Sequence, residues 1–211
     1  MKLRLTILVT LLFLSYSSCY TQQTINGMIF QRGNPLDYDE FPERMVQAFL
    51  SAEDSNFFTH PGVDIRGLLR AGVQLALTGE KRQGGSTITM QVARNFYLSS
   101  KKTYTRKISE IFLALRIERE LSKPEILELY LNKIYLGHRA YGVEAAARVY
   151  YGVGIDDLSI AQMAMIAALP KAPSRVNPVN NPSAAKIRRN YILGRMHKLG
   201  FIDAETHAAA R

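Results

Sequence analysis

Two carboxylates of this sequence stand among apolar residues, where a carboxyl group can act as a base. The first, Glu53, follows Phe49 by four residues and therefore continues the apolar face of a predicted helix. Phe57 and Phe58 come soon after it. Loss of hydration disfavours the charged form of a carboxyl group, which makes it a better proton acceptor near neutral pH. We predict that Glu53 is a general base; an ordinary surface glutamate at a helix end is the other interpretation.

The second carboxylate, Glu110, lies on a segment that is apolar on two sides. Arg106 precedes it by one helical turn, and Leu113 and Ile117 extend the same stripe. The opposite stripe consists of Ile108, Ile111, Phe112 and Leu115. Glu110 is therefore expected to be at least partly sequestered, with Arg106 orienting it. A simple ion pair within the helix is the alternative.

A glycine-rich segment between these carboxylates has the composition of an anion site. Gly84 and Gly85 allow backbone N–H groups to approach a ligand, and Ser86 is expected to cap the helix that follows. The start of a helix favours phosphate. No Gly-Lys-Ser/Thr follows, so the segment is not a Walker loop. Many helices begin with Gly-Ser, and an ordinary helix start is the other interpretation.

The net charge of +9 is concentrated in two tracts. Nine basic and two acidic residues lie between Lys81 and Arg119, and seven basic residues with no acidic one lie between Lys171 and Lys198. Such tracts indicate a polyanionic partner, either nucleic acid, anionic lipid headgroups or a pyrophosphate, or else they are solvated helix faces. Two carboxylates with cations between them fit glycosyl transfer from a pyrophosphate leaving group, whose developing charge the cations offset.

The elements that must position these groups are helices. Helix starts are predicted at Pro42, Ser122, Ser159, Ser183 and Asp203. The Ala/Met-rich helix after Ser159 is expected to be buried because of its composition. No stretch alternates with the period of two that a half-buried strand requires, so the fold is predicted to be mainly α.

The N-terminus has the pattern of an export signal. Lys2 and Arg4 precede an apolar run over residues 5–14, and small and polar residues follow. Ten helical residues span about 15 Å, roughly half of a ~30 Å hydrocarbon core. We therefore predict a signal peptide or short membrane anchor over residues 1–20 and a catalytic domain over residues 21–211.

Five sequence blocks, in this order, resemble glycosyltransferase family 51. This family comprises the glycosyltransferase domain of class A penicillin-binding proteins and the monofunctional peptidoglycan glycosyltransferases. The blocks are residues 53–64 (EDSNFFTHPGVD), 85–91 (GSTITMQ), 106–110 (RKISE), 126–132 (ILELYLN) and the stretch 135–152. Any one block is modest evidence, whereas all five in order are highly specific. The resemblance extends from about Pro42 to the C-terminus.

The resemblance implies a lysozyme-like, α-helical large lobe and a small flexible lobe against the membrane. The implied substrate is lipid II, a disaccharide-peptide on undecaprenyl pyrophosphate. Glu53 matches the general base that takes the proton from the GlcNAc 4-hydroxyl of the acceptor, which attacks the growing chain with inversion. Glu110 matches the second essential carboxylate. The positions implied to bind substrate are Asp54, Ser86, Thr89, Gln91, Arg94, Lys102, Arg106 and Lys107.

This sequence departs from the family pattern at two positions, and its N-terminal segment is shorter than the usual single-pass anchor. Met90 stands where the family usually has Gln, which is expected to cost one polar contact. Arg94 stands where some members have Lys, a change compatible with phosphate binding. Ser-x-x-Lys occurs at 99–102 and 183–186 without Lys-Thr-Gly or Ser-x-Asn, so no transpeptidase domain is expected.

The implied partners are lipid II, the growing glycan chain, the membrane and cell-wall synthesis proteins, but not nucleic acid. The implied location is the inner (cytoplasmic) membrane, with the catalytic domain on the outer, periplasmic face. No metal site is predicted and no cofactor is obligatory, although a divalent cation is compatible with the chemistry. Two alternatives stay open: a non-catalytic domain that binds lipid II or division partners, and a lysozyme-like enzyme that cleaves glycans.

Overall fold

The structure is a computed structural model and describes residues 35–67, 69–70, 77, 85–98 and 103–211. The predicted signal or anchor, Gly84 and Lys102 lie outside these residues. Among these residues the backbone is mainly α-helical, and one isolated β-bridge joins Tyr135 and Tyr141. The predicted fold class, mainly α, is confirmed. The division into a large and a small lobe stays a prediction.

The helices of the described residues include α1 (Glu43–Glu53), α2 (Ile88–Tyr97), α3 (Tyr104–Glu120), α4 (Lys123–Lys133), α5 (Val143–Tyr151), α6 (Ile160–Ala168), α7 (Pro182–Lys198) and α8 (Ala204–Ala209). Short 3-10 turns lie at Tyr38–Glu40, Ile155–Asp157 and Leu169–Lys171. By their contacts, residues Leu36–Arg211 form one compact unit. In the part of the chain that the structure covers, no helix combines the length and the apolar character that crossing a bilayer requires.

Most helix starts follow from local side-chain chemistry. Ser122 and Ser159 open α4 and α6 with capping boxes, and Asp203 accepts a hydrogen bond at the start of α8, as predicted. The predicted cap at Ser183 is wrong, because Asn181 caps α7. The reason is Pro182, whose fixed φ and missing N–H suit the first helical position and move the cap two residues towards the N-terminus.

The core holds α1 in place between neighbouring helices. Residues Met163 to Ala168 of α6 are buried, as its composition predicts, and α6 packs against both α1 and α7. On another side, α2 packs against α3 and α4. The end of α1, which carries Glu53, is therefore supported by contacts that are distant in sequence.

The two apolar stripes of α3 are buried to different extents. In the stripe that carries Glu110, Glu110 and Ile117 are buried. In the other stripe, Ile111 and Leu115 are half-buried and pack against a small buried cluster, whereas Ile108 and Phe112 are 55% and 69% exposed. The predicted apolar contacts on two sides are therefore present, and they are deeper on the side of Glu110.

Candidate active site

Two helices, α2 and α7, bring polar side chains to Glu53 at the end of α1. Its Oε2 atom accepts a hydrogen bond of 2.8 Å from Nε2 of Gln91 on α2. A guanidinium nitrogen of Arg188 on α7 lies 4.0 Å from its Oε1 atom. The Glu53 side chain is 16% exposed, so it is largely removed from water without being sealed off. We call Glu53, Gln91, Arg94 and Arg188 the Glu53 cluster.

Burial raises the pKa of Glu53 above its ordinary value, and this is the largest influence on it. The hydrogen bond from Gln91 and the positive charges of Arg188 and Arg94 lower the pKa, while the negative charge of Asp54 raises it. The net shift is upward, because desolvation outweighs the hydrogen bond and the cations. The desolvated setting that the sequence indicates is therefore present, and the role of general base stays a prediction.

Gln91 links the carboxylate to a cation. Its amide nitrogen donates to Glu53, and its amide oxygen accepts from an Nη atom of Arg94 at 3.4 Å. The orientation of the amide is thus fixed by its two neighbours, since only the nitrogen can donate. Of the predicted residues, Gln91 contacts Glu53 directly and Arg94 contacts Gln91, whereas Lys102 lies outside the described residues.

Arginines of α7 close the end of α1. Arg188 donates to the carbonyl of Ala52 at 3.3 Å, and Arg195 donates to the carbonyl of Ser51 at 2.5 Å. The last carbonyls of a helix have no partner within the helix, so these arginines satisfy them. The same contact brings the charge of Arg188 to Glu53. We did not predict this residue; its signal was the acid-free basic tract, which indicates a cationic surface without saying which cation reaches the site.

Asp54 faces the protein interior. His60 Nε2 lies 3.0 Å from both of its carboxylate oxygens, and the N–H of Ile88 donates to Oδ2 at 3.0 Å. His60 Nδ1 accepts from the N–H of Gly62, so the neutral tautomer with its proton on Nε2 fits these bonds. Asp54 is buried and ties the loop after α1 to the start of α2. The role of its carboxylate in substrate binding stays a prediction.

The start of α2 differs from the prediction by one residue. Thr87, not Ser86, is the N-cap: its Oγ1 atom accepts from the N–H of Met90 and donates to the carbonyl of Gly62 at 2.6 Å. The Ser86 hydroxyl instead accepts a hydrogen bond of 2.7 Å from Nζ of Lys107 on α3. Ser86 thereby contacts a second group of side chains, the charged residues around Glu110.

Glu110 is fully buried and held by two cations. Arg106 donates to its Oε1 atom, and Nζ of Lys107 donates to its Oε2 atom at 2.9 Å. The predicted sequestration is confirmed, and Arg106 does contact the carboxylate. We call Glu110, Arg106, Lys107 and Ser86 the Glu110 cluster. Its carboxylate fixes two positive charges, one of which, on Lys107, belongs to a side chain that is 36% exposed.

Two further positions of the second block lie between helices. Thr89 is fully buried and donates a hydrogen bond of 2.5 Å to Glu118, which also accepts from Lys123. The role of Thr89 in lining the substrate site stays a prediction. Met90 is fully buried beside Ala114. Its departure from the family pattern removes no polar group from the Glu53 cluster, because this position faces α3.

Tyr130 on α4 is a buried phenol close to the same charges. Its ring packs edge-on against Phe49, with 5.9 Å between the ring centroids, and its hydroxyl has no hydrogen-bond partner among the described residues. Burial raises the pKa of Tyr130 well above its usual value, the charges of Glu53 and Asp54 raise it further, and that of Arg94 lowers it. The hydroxyl is therefore neutral at physiological pH.

The arrangement can take up a proton beside cations that attract an anion. Glu53 has a raised proton affinity, and Arg94 and Arg188 stand next to it. The Glu110 cluster supplies two more positive charges on α3, which packs against α2. Within the described ranges, no three His, Cys, Asp or Glu side chains group as a metal site would require.

Comparisons with known proteins give a consistent family. The transglycosylase family model matches residues 21–197. The penicillin-binding protein 1A of Pseudomonas aeruginosa is 59% identical over 179 residues, which are 85% of this chain and 22% of that protein. A putative transglycosylase of Cupriavidus necator is 56% identical over 78% of this chain and 71% of its own length. A crystal structure of penicillin-binding protein 1A from Haemophilus influenzae gives a TM-score of 0.49 at 29% identity, over 85% of this chain and 17% of that one.

Proposed function

We infer the function from the family and from the Glu53 cluster. The chain belongs to the transglycosylase family. It spans about a fifth of the length of its penicillin-binding protein 1A relatives. We propose that it is a peptidoglycan glycosyltransferase that polymerises lipid II into glycan strands. The observation that carries the proposal is a largely buried carboxylate, Glu53, that accepts a hydrogen bond from Gln91 and stands 4.0 Å from an arginine.

In the proposed reaction, Glu53 takes the proton of the GlcNAc 4-hydroxyl of lipid II. The oxygen attacks C1 of the terminal MurNAc on the growing chain and forms the new glycosidic bond. The bond between C1 and undecaprenyl pyrophosphate breaks, and the pyrophosphate leaves with the electron pair, so the anomeric configuration inverts from α to β. A carboxylate whose pKa is raised by burial suits this proton transfer near neutral pH.

We assign to the cations of both clusters the role of binding the pyrophosphate and the sugars of the substrate. Arg94 and Arg188 stand beside the base, and Arg106 and Lys107 are fixed by Glu110. Lys102 is assigned the same role from the sequence. Fixed positive charges stabilise an anion that develops during the reaction without further reorganisation. Arginine binds phosphate oxygens as a planar fork, and lysine binds them as a point charge. Glu110 then acts by holding these cations in place.

The proposed partners are lipid II, the growing glycan chain, the membrane and other cell-wall synthesis proteins, with no nucleic acid. The proposed location is the periplasmic face of the inner membrane, to which the N-terminal signal or anchor directs the chain. No cofactor is assigned an obligatory step, because a carboxylate base and the cations supply the proton transfer and the charge stabilisation.

The test is incubation of the purified chain in detergent with labelled lipid II, followed by separation of the products by length. We expect strands of increasing length and the release of one undecaprenyl pyrophosphate for each bond formed. Binding of lipid II without its consumption would instead identify a non-catalytic binding module. Shortening of preformed strands would identify a glycan-cleaving enzyme. Either result would contradict the proposal.

A further inference from the structure

A short hairpin after α4 presents two tyrosine rings to solvent. Tyr135 and Tyr141 form an antiparallel bridge. A backbone hydrogen bond lies on each side of it: the N–H of Leu136 donates to the carbonyl of Ala140, and the N–H of Gly142 donates to the carbonyl of Ile134. The pair itself exchanges no backbone bonds, which brings its side chains close together. The ring centroids are 5.0 Å apart, and the two residues are 42% and 52% exposed.

The turn of this hairpin has an unfavourable backbone. Its central residues, His138 and Arg139, have φ angles of 46° and 61°, and the N–H of Ala140 donates to the carbonyl of Gly137 at 2.8 Å. Turns with two left-handed central residues are usually built from Asn and Gly, because a Cβ atom is strained in that region. Such conformations persist where the surroundings impose them, and they cluster at sites that bind ligands.

A fully buried asparagine imposes this conformation. Nδ2 of Asn177 donates to the carbonyl of Pro173 at 3.0 Å and to the hydroxyl of Tyr150 at 2.8 Å, and it lies 3.1 Å from Nδ1 of His138. The Tyr150 hydroxyl in turn donates to the carbonyl of Leu136 at 2.8 Å. The hairpin is thus fixed by α5 and by the connection between α6 and α7. Its two exposed rings are held before any ligand arrives.

We propose that Tyr135 and Tyr141 form a binding surface for a β-linked aminosugar chain, with Arg139 beside it for the carboxylates that such a chain carries. A tyrosine offers a flat apolar face to the C–H face of a sugar ring and a hydroxyl to the sugar hydroxyls. A rigid pair of rings also loses little conformational freedom on binding. The identity of the chain as peptidoglycan rests on the proposed function.

The size of the surface favours a sugar chain over a protein. A specific protein interface covers about 800 Å² on each partner. Two half-exposed rings at a hairpin supply a small part of that area, whereas a few pyranose units are comparable in length to the pair. Arg139 is exposed in the turn that joins the two tyrosines, so its charge complements an acidic glycan.

The experiment follows the ring signals of the tyrosines by NMR in the Glu53→Gln protein, so that no turnover intervenes. Tyr135→Phe and Tyr141→Phe assign the two signals, and the probe is chitohexaose, a neutral chain of six GlcNAc units. We expect the signals of Tyr135 and Tyr141 to shift with a saturable dependence on the probe. Signals of Tyr135 and Tyr141 that do not move at millimolar probe would overturn the proposal.

A second pair of measurements tests the acidic component. Purified glycan strands that contain MurNAc should bind at least threefold more tightly than chitohexaose of the same length, and Arg139→Ala should remove this difference while leaving chitohexaose binding unchanged. Phe112→Ala, which removes an exposed aromatic ring of α3, is the control and should change neither affinity. Saturable shifts of the His138 ring signals with both probes that survive Tyr135→Ala with Tyr141→Ala, in a protein with unchanged circular dichroism, would also contradict the proposal, because they report binding at the hairpin itself. Because no arm needs polymerisation, its failure is distinguishable from failure of the proposed function.

Discussion

The side-chain amide of Gln91 donates a hydrogen bond of 2.8 Å to the carboxylate of Glu53. This bond favours the charged form of the carboxylate and so opposes the effect of burial, which raises the pKa of Glu53. The proton affinity of the proposed base is therefore set by a balance between desolvation and one neutral donor, with two arginines as weaker contributors.

We expect Gln91→Leu to raise the pKa of Glu53 further, because it removes the strongest influence that lowers it. The rising limb of the pH–rate profile should move to higher pH, since the base must be deprotonated to act. The measurement is the initial rate of lipid II consumption against pH. Gln47→Leu is the control, because Gln47 also donates to a glutamate, Glu43, on α1. A limb that stays in place, or that moves equally in both variants, would contradict the assignment.

The raised pKa of Glu53 also predicts how stability depends on pH. A group whose folded pKa exceeds its unfolded value, here 4.5, contributes stability below the unfolded pKa and loses it as pH rises through the folded pKa. Glu53→Gln abolishes this titration. At pH 8 the variant should therefore be more stable than the parent, and the difference should vanish near pH 4. Thermal unfolding across this range checks it; a variant that is less stable at pH 8 would contradict the prediction.

The buried pair in the Glu110 cluster predicts a large loss of stability when its arginine is removed. Arg106→Met leaves the fully buried Glu110 with Lys107 as its remaining cation, and we expect a cost of about 2–4 kcal/mol. The matched control is Arg148→Met in the pair with Glu144, where Arg148 is 69% exposed, and it should cost less than about 0.5 kcal/mol. Denaturant unfolding measures both. Equal costs would mean that Glu110 is not sequestered.

A buried tyrosine, Tyr130, and a partly buried one, Tyr150, predict different results for the same substitution. The Tyr130 hydroxyl has no hydrogen-bond partner among the described residues, so Tyr130→Phe should change stability by less than about 0.5 kcal/mol or increase it. The Tyr150 hydroxyl accepts from Asn177 and donates to Leu136, so Tyr150→Phe should cost about 1–2 kcal/mol. The reverse order of the two unfolding free energies would contradict these hydrogen-bond assignments.

Features of the fold that depend on neighbouring residues could be predicted from the sequence. The capping boxes at Ser122 and Ser159 are complete within four residues, and the burial of Glu110 follows from the apolar stripe around it. The choice between Ser86 and Thr87 as a cap could not be predicted, because both have a hydroxyl and the contact with Lys107 on another helix decides between them.

Features that depend on distant contacts were not predicted. Arg188 reaches the end of α1 across 136 residues, and nothing in its basic tract distinguishes it from its neighbours. The hairpin at Tyr135 and Tyr141 has neither Asn nor Gly at the centre of its turn, so the usual turn signal is missing. Its conformation is imposed by Asn177, which lies 39 residues away from His138.

The most direct test of the proposed mechanism compares the rate of lipid II polymerisation by the parent chain and by Glu53→Gln. We expect the substitution to lower the rate by at least about 100-fold, the usual contribution of a general base. Folding should be retained by circular dichroism, and lipid II should still bind. Glu43→Gln, at the exposed start of the same helix, should keep the parent rate. Polymerisation by Glu53→Gln at the rate of the parent would contradict the assignment of the base.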